Sequence, residues 1–460
     1  MFKGSAVLGI AVLIFFLGPL ISQGGGANIA LGVSVAFCMG MILLVVGSRS
    51  GIRPGRTLAT AGEGVEDAGR DDELSEEERR FLINIFFAGL LLRIGLSILI
   101  TIFDPGRYFD GDAVTYEQVG RTLAKYWHGH YAFPQKLERA ILPSYYHLNA
   151  LIFYIFGYSR LIPQLINCVI GSLLILMFHS LCRQCFGSRA ARVGAVIAAF
   201  YPSMIMWSII NVRDIWSLFA LTGVVLQGIN LKRNIRPGSV LWLLFYLVLL
   251  FLLRKYLVSI VLVSFFIGFT ISGGKKLLRN YLILAVVTIM LAYFLNRAGS
   301  DLLGFEQINL ENIDFMRQKF AAIHGRTRYL PNADISTPQG ALAYLPLGIT
   351  YFLLAPFPWA IDFGVLRQVA ALPEVLIWYF MVPYVIMGIR TCLKENSEDS
   401  NFILAFVIGM LIPYSLVEAN AGTAFRHRIQ IILFLLIFAS VTISRRLERR
   451  GREAGGPAAT

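Results

Sequence analysis

Three aspartates fall within nine residues at Asp104, Asp110 and Asp112, directly after a long apolar run. A carboxylate beside a binding cleft can act as a general base, taking the proton of an attacking hydroxyl. Further along, cations stand next to apolar runs: Arg213 beside Asp214, Arg254 beside Lys255, and Arg426-His427-Arg428. His324, Arg326 and Arg328 form another group, and His147 lies close behind the acidic segment. Arginine's planar fork binds phosphate oxygens two at a time. A base and a set of phosphate-binding cations are what attack on a sugar C1 requires. The transition state there is oxocarbenium-like, and the departing phosphate needs positive charge. The base is Asp110 or Asp112; Asp112 is also placed to cap a helix.

The elements that must position these groups are membrane helices. Of the 460 residues 56% are hydrophobic and only 15% charged, whereas soluble domains carry about 25% charged residues. Apolar runs of about 18–20 residues, long enough to cross ~30 Å of hydrocarbon, recur between polar breaks. Spans are expected near 5–22, 28–47, 81–103, 161–181, 190–210, 214–231, 239–253, 256–272, 278–296, 374–390, 402–418 and 429–443. Tyr145–Phe156 and Leu342–Ala360 are shorter or proline-broken, and read as half-spans, re-entrant hairpins or interfacial helices. The fold class is therefore all-α and polytopic, with about 12–14 spans.

The net charge of +13 follows from Lys and Arg in cytoplasmic loops, and nucleic acid is not needed as a partner. Placing the basic segments 48–80, 183–192, 232–236 and 445–460 inside puts the loop 104–143 outside. Arg213, Arg254, Lys255, Arg426 and Arg428 then fall on the outer face, where topology does not call for them. The domain reading is an N-terminal hairpin (1–47), a polar linker (48–80) and a core (81–296) whose outer loop 104–143 carries the base. A second outer segment (297–373), C-terminal spans (374–444) and a basic tail (445–460) follow. Tyr116, Val119, Gly120, Leu123 and Trp127 recur at helical spacing, so the first outer loop holds an amphipathic helix. Tyr116, Trp127 and Trp359 are candidates to line a sugar cavity. The five cysteines make no disulfide framework or four-ligand zinc set. His128-Gly-His130 leaves a divalent metal open, and no motif calls for another cofactor.

The order of motifs carries a family likeness. It runs from the acidic loop ending at Tyr116, through Leu142-Pro-Ser-Tyr-Tyr-His147, Pro163-Gln-Leu-Ile-Asn167, Gly171-Ser172 and Phe186-Gly187, to Ala198-Ala-Phe-Tyr-Pro202 and Arg213-Asp214. This resembles the GT-C membrane glycosyltransferases, in particular their protein mannosyltransferase and aminoarabinose transferase-like branch. The resemblance covers about residues 81–230. It implies a polyprenyl-phosphate sugar donor, a catalytic aspartate at Asp110 or Asp112, and inverting transfer outside the cytoplasm. Many relatives have adjacent acidic residues, but here Gly111 separates them. The expected function is sugar transfer to a lipid, glycan or protein acceptor at the outer face of a bacterial inner membrane. The rivals are an O-antigen ligase or polysaccharide polymerase, and a flippase or transporter of lipid-linked glycans. The acidic first loop weighs against the former. No internal repeat stands out and most charges cluster at span ends, which weighs against the latter.

Overall fold

In the computed structural model the described residues are 74–103, 111–130, 144–272, 277–297, 310–323, 327–330, 333–361, 363–364, 366–395 and 397–454. The spans expected at 5–22 and 28–47, and nearly all of the linker, lie outside them. The described residues are mostly helical: α1 Glu76–Phe103, α2 Gly111–Trp127, α3 Tyr145–Phe156, α4 Leu161–Phe186, α5 Ser188–Phe200, α6 Pro202–Ile209, α7 Asp214–Arg233, α8 Pro237–Leu253, α9 Lys255–Ser272, α10 Leu277–Arg297, α11 Leu310–Ile323, α12 Pro338–Leu354, α13 Leu366–Glu395, α14 Glu398–Val417 and α15 Ala421–Ala454. Among the described residues the only strand-like pairing is one bridge, Arg328 with Asn420.

Among the described residues six helices are long and apolar enough to cross a bilayer: α1, α4, α7, α13, α14 and α15. Three shorter apolar helices, α8, α9 and α10, occupy the positions of three further expected spans. The chain is thus a multi-pass, all-α membrane protein. Two compact units are distinguished. Among the described residues, the first runs to Ser180 and takes in Ala198–Phe219, and the second holds Leu181–Ile197 and continues from Ala220.

Of the boundaries that differ from the sequence reading, two have a local reason. Helix α1 starts at Glu76, inside the stretch read as linker. Ser75 Oγ accepts the Glu78 N–H at 3.1 Å, and Glu76–Glu78 put negative charge in the first turn, both favourable at a helix N-terminus. The expected span 190–210 is not continuous. It breaks between α5 and α6 with a 48° bend, because Pro202 has no N–H to bond the Ala198 carbonyl.

The first unit repairs that break with a buried cation. Arg93, in the middle of α1, is wholly buried. It donates to the carbonyls of Ala198 (3.2 Å) and Ala199 (3.0 Å), to Gly89 O (3.0 Å) and to Ser208 Oγ (3.0 Å). The carbonyl freed by Pro202 thus gains a guanidinium. Room for it depends on Gly171, where a Cβ would stand 2.6 Å from Ser208 Cβ and 3.2 Å from Arg93 Nε.

The second unit uses the same device. The C-terminal carbonyls of α12 are capped by Trp378 Nε1 on Leu353 (2.9 Å), Tyr379 Oη on Leu354 (3.2 Å) and Arg428 Nη1 on Ala355 (2.6 Å). Around them α9 packs on α14 and α13 on α15, and α15 is almost entirely enclosed from Phe425 to Val441.

Replacing Arg93 by Met leaves these carbonyls without a partner in an apolar setting. We expect a loss of roughly 2–4 kcal/mol, read as a lower unfolding midpoint of the detergent-solubilised protein. Ser208→Ala is expected to cost about 1 kcal/mol. An unchanged midpoint in the Met variant would show that the break does not depend on Arg93.

Candidate active site

In the first unit the acidic helix is set against α3. The face of α2 made by Ala113, Tyr116, Gly120, Leu123 and Ala124 is buried. Gly120 allows the approach: a Cβ there would stand 2.7 Å from Asn149 Cβ on α3. The Tyr116 ring packs edge-on to Tyr145 at 4.9 Å and against Tyr146 at 5.0 Å. A second clasp lies along the helix. Tyr158 donates a short hydrogen bond to Glu117, Arg160 lies 3.5 Å from the same carboxylate, and Arg121 covers the Tyr158 ring.

Asp112 therefore sits in the first turn of a firmly seated helix, exposed, with buried Tyr116 one turn further on. Asp110 lies outside the described residues, immediately before that helix.

Behind Tyr116 is a closed polar network. Tyr145 Oη donates to Asn211 Oδ1 at 2.8 Å and lies 3.2 Å from Asn167 Oδ1. Asn211 Nδ2 donates to Asn149 Oδ1 (2.8 Å), and Asn149 Nδ2 to the Tyr145 carbonyl (2.9 Å). Asn167 Nδ2 holds the carbonyls of Ile210 (2.8 Å) and Val212 (3.0 Å), and its Oδ1 accepts from Trp216 Nε1 (2.7 Å). These bonds shape the turn from α6 into α7, which carries Arg213 and Asp214. Arg213 is half-buried and Asp214 buried at the head of α7. Tyr145, Asn149, Asn167, Asn211 and Trp216 were not singled out as site residues from the sequence. The one available signal was that Tyr145 and Asn167 fall inside the family-like motifs.

His147 is half-buried, and that burial pulls its pKa below the ordinary imidazole value. At neutral pH it meets a ligand as a neutral hydrogen-bonding group, not as a cation. Its ring lies 6.3 Å from Trp127, which is exposed. The His128 ring stacks on Tyr154 at 4.3 Å. Among the described residues no three His, Cys, Asp or Glu side chains converge as a metal site.

In the second unit the remaining predicted cations gather at two helix junctions. Arg254 stands between α8 and α9, its side chain buried. It donates to Tyr256 Oη at 2.7 Å and lies 2.7 Å from His427 Nε2. The other nitrogen of His427 forms a short bond with buried Glu418, whose second oxygen accepts from Thr423 Oγ1 at 2.6 Å. Lys255 is exposed and Arg426 half-buried. Residues 327–330 are pinned beside this junction: Tyr329 N–H donates to Ala419 O (2.9 Å), and Ala421 N–H to Thr327 O (2.8 Å). Arg328 is exposed there, while His324 and Arg326 lie outside the described residues.

Arg428 faces inward. It is fully buried, bonded to Ala355 O and 3.4 Å from Glu374, so its guanidinium is engaged in closing α12. Trp359 is 78% exposed and stacks on Phe357 at 5.3 Å. Sequence reading, which sought cations, passed over Glu418, Tyr256, Tyr414 and Gln430. Glu418 carried one signal, a lone carboxylate at a span end close to a cationic triplet.

Tyr145→Phe tests whether the network holds α2 in place. Removing the hydroxyl strands the Asn211 oxygen, while Asn167 Oδ1 keeps its Trp216 donor, at a cost of about 1–3 kcal/mol. The expected readouts are a lower unfolding midpoint and faster proteolysis within 104–143. Wild-type resistance to proteolysis would show that ring packing alone seats the helix.

Residues 140–297 match the family model described as dolichyl-phosphate-mannose-protein mannosyltransferase. No curated protein matches the chain. Its fold is similar to that of the Archaeoglobus fulgidus oligosaccharyltransferase AglB solved with an inhibitory peptide and a dolichol-phosphate. The TM-score is 0.51 at 15% identity, covering 84% of this chain and 53% of that one. The apo form of the A. fulgidus oligosaccharyltransferase gives a TM-score of 0.49 at 14% identity, covering 84% and 53%. The chain spans about half the length of these archaeal enzymes. Motif order, the family match over 140–297 and the helical fold agree: the chain has the fold of the GT-C superfamily of membrane glycosyltransferases.

Proposed function

We propose that this protein transfers a sugar from a polyprenyl-phosphate or pyrophosphate donor to a hydroxyl-bearing lipid, glycan or protein acceptor. The reading places the reaction at the extracytoplasmic face of a bacterial inner membrane. The observation that carries it is the network of the first unit. One set of hydrogen bonds and ring contacts seats both the helix bearing Asp112 and the turn bearing Arg213. A candidate base and a candidate phosphate ligand thus rest on a common rigid support, as preorganised catalysis needs.

In this mechanism Asp110 or Asp112 accepts the proton of the acceptor hydroxyl. The hydroxyl oxygen attacks the sugar C1 from the face opposite the phosphate. The C1–O bond breaks, its electron pair leaves with the phosphate, and the anomeric configuration inverts. Arg213 stabilises the growing charge on the leaving group. In the second unit, Arg254, Lys255 and Arg426 are further candidates to bind a lipid-linked phosphate. Arg428 is left out of the contact set because its guanidinium is already bonded to the end of α12. Tyr116 supports the helix from behind, and Trp127 and Trp359 keep exposed aromatic faces for sugar or headgroup contact.

The test is turnover of a panel of polyprenyl-phosphate sugars by protein in lipid, with membrane extract as acceptor. The Asn variant of the base, at position 110 or 112, is expected to retain donor binding and to lose about 100-fold or more in rate. Arg213→Ala is expected to weaken donor binding and turnover together. Full activity in both the Asp110→Asn and Asp112→Asn proteins would remove the aspartates from the chemistry and overturn this reading.

A further inference from the structure

In the second unit a carboxylate, an imidazole and a guanidinium form a line. Arg254 lies 2.7 Å from His427 Nε2. A guanidinium has only donors, so Nε2 must accept, and the ring's proton must be on Nδ1. That proton faces Glu418 Oε1. Glu418 is itself fixed: its other oxygen accepts from Thr423 at 2.6 Å, and Tyr344 Oη lies 3.4 Å from its backbone carbonyl. The ring of His427 lies 5.6 Å from that of Tyr414, whose hydroxyl is anchored on Gln430 Oε1 at 2.6 Å. At the other end of the line, Arg254 bonds the hydroxyl of Tyr256, which is exposed. The line thus runs from a buried carboxylate to an accessible phenol beside exposed Lys255.

We propose that Glu418 is a positioning residue, acting through the tautomer of His427 to aim Arg254 at the phosphate of the lipid-linked donor. This rests on the donor reading above. Without an acceptor at Nδ1 the imidazole is free to carry its proton on Nε2, and an N–H then confronts the Arg254 N–H groups. A hydrogen-bonded carboxylate removes that alternative, much as a carboxylate behind a ligating histidine fixes its tautomer. Protonation of His427 has the same effect as tautomer loss, because the imidazolium carries N–H on both nitrogens. Arg254 then faces a cation. The groups around His427 are Glu418 and Tyr414 on and after α14, Arg254 and Tyr256 at the α8–α9 junction, and Arg426 and Arg428 on its own helix. Tyr329 and Tyr344 flank Glu418.

The experiment measures binding of a polyprenyl monophosphate, with the matching polyprenol as control, to the full chain in zwitterionic lipid nanodiscs. Wild type is expected to bind the phosphate and not the alcohol. Glu418→Ala leaves Nδ1 without an acceptor and is expected to bind about tenfold more weakly, at an unfolding midpoint that reports whether it remains folded. Glu418→Gln keeps an amide oxygen that accepts from Nδ1, and is expected to recover most of the binding. If wild type fails to prefer the phosphate, the donor reading and this inference both fall. If wild type prefers it but folded Glu418→Ala matches wild type, or Glu418→Gln binds no better than Glu418→Ala, only the positioning role falls.

Discussion

A helix broken within a bilayer exposes carbonyls that water cannot reach, and each must find another donor. Much of this chain's internal architecture answers that requirement. Arg93 supplies the break at Pro202, and Arg428 with Trp378 and Tyr379 closes the end of α12. A guanidinium suits the task because one planar group reaches several carbonyls at once. Burying it is costly, and the cost is offset only if nearly all its donors are used. Hence the close passages at Gly89 and Gly171, where any larger side chain would displace the arginine or its partners.

The irregular backbone that follows α6 shapes the candidate site. Asn167 holds it at the carbonyls of Ile210 and Val212. The turn that bears Arg213 is defined by those two bonds and by Asn211. The same network extends through the Tyr145 hydroxyl to the Tyr116 ring, and so to the helix bearing Asp112. Stability and candidate chemistry are linked in the first unit. The side chains that satisfy the interior also set the positions of the exposed charges.

The second unit treats charge differently. Arg254, His427 and Glu418 share one chain of hydrogen bonds, whereas Arg428, next to His427 in sequence, serves only the interior. Adjacent cations in one triplet therefore have different roles. A helix turns by about 100° per residue, so neighbours on α15 face different surroundings.

By itself the sequence determined the class of molecule and most of its elements. Run length and hydropathy are local properties, and a bilayer converts them directly into helices. For that reason the expected spans from residue 81 onward are helices, and the 116–127 periodicity is an amphipathic helix. Motif order was also legible, and with it the superfamily. Tertiary structure alone decided which cations look inward, that Pro202 divides a span, and that α1 begins at Glu76. It also brought Glu418 to His427 and Asn167 to the carbonyls of 210 and 212. Those outcomes depend on partners tens of residues away, such as Arg93 for Pro202. Hydropathy along the chain carries no information on which distant donor meets which freed acceptor.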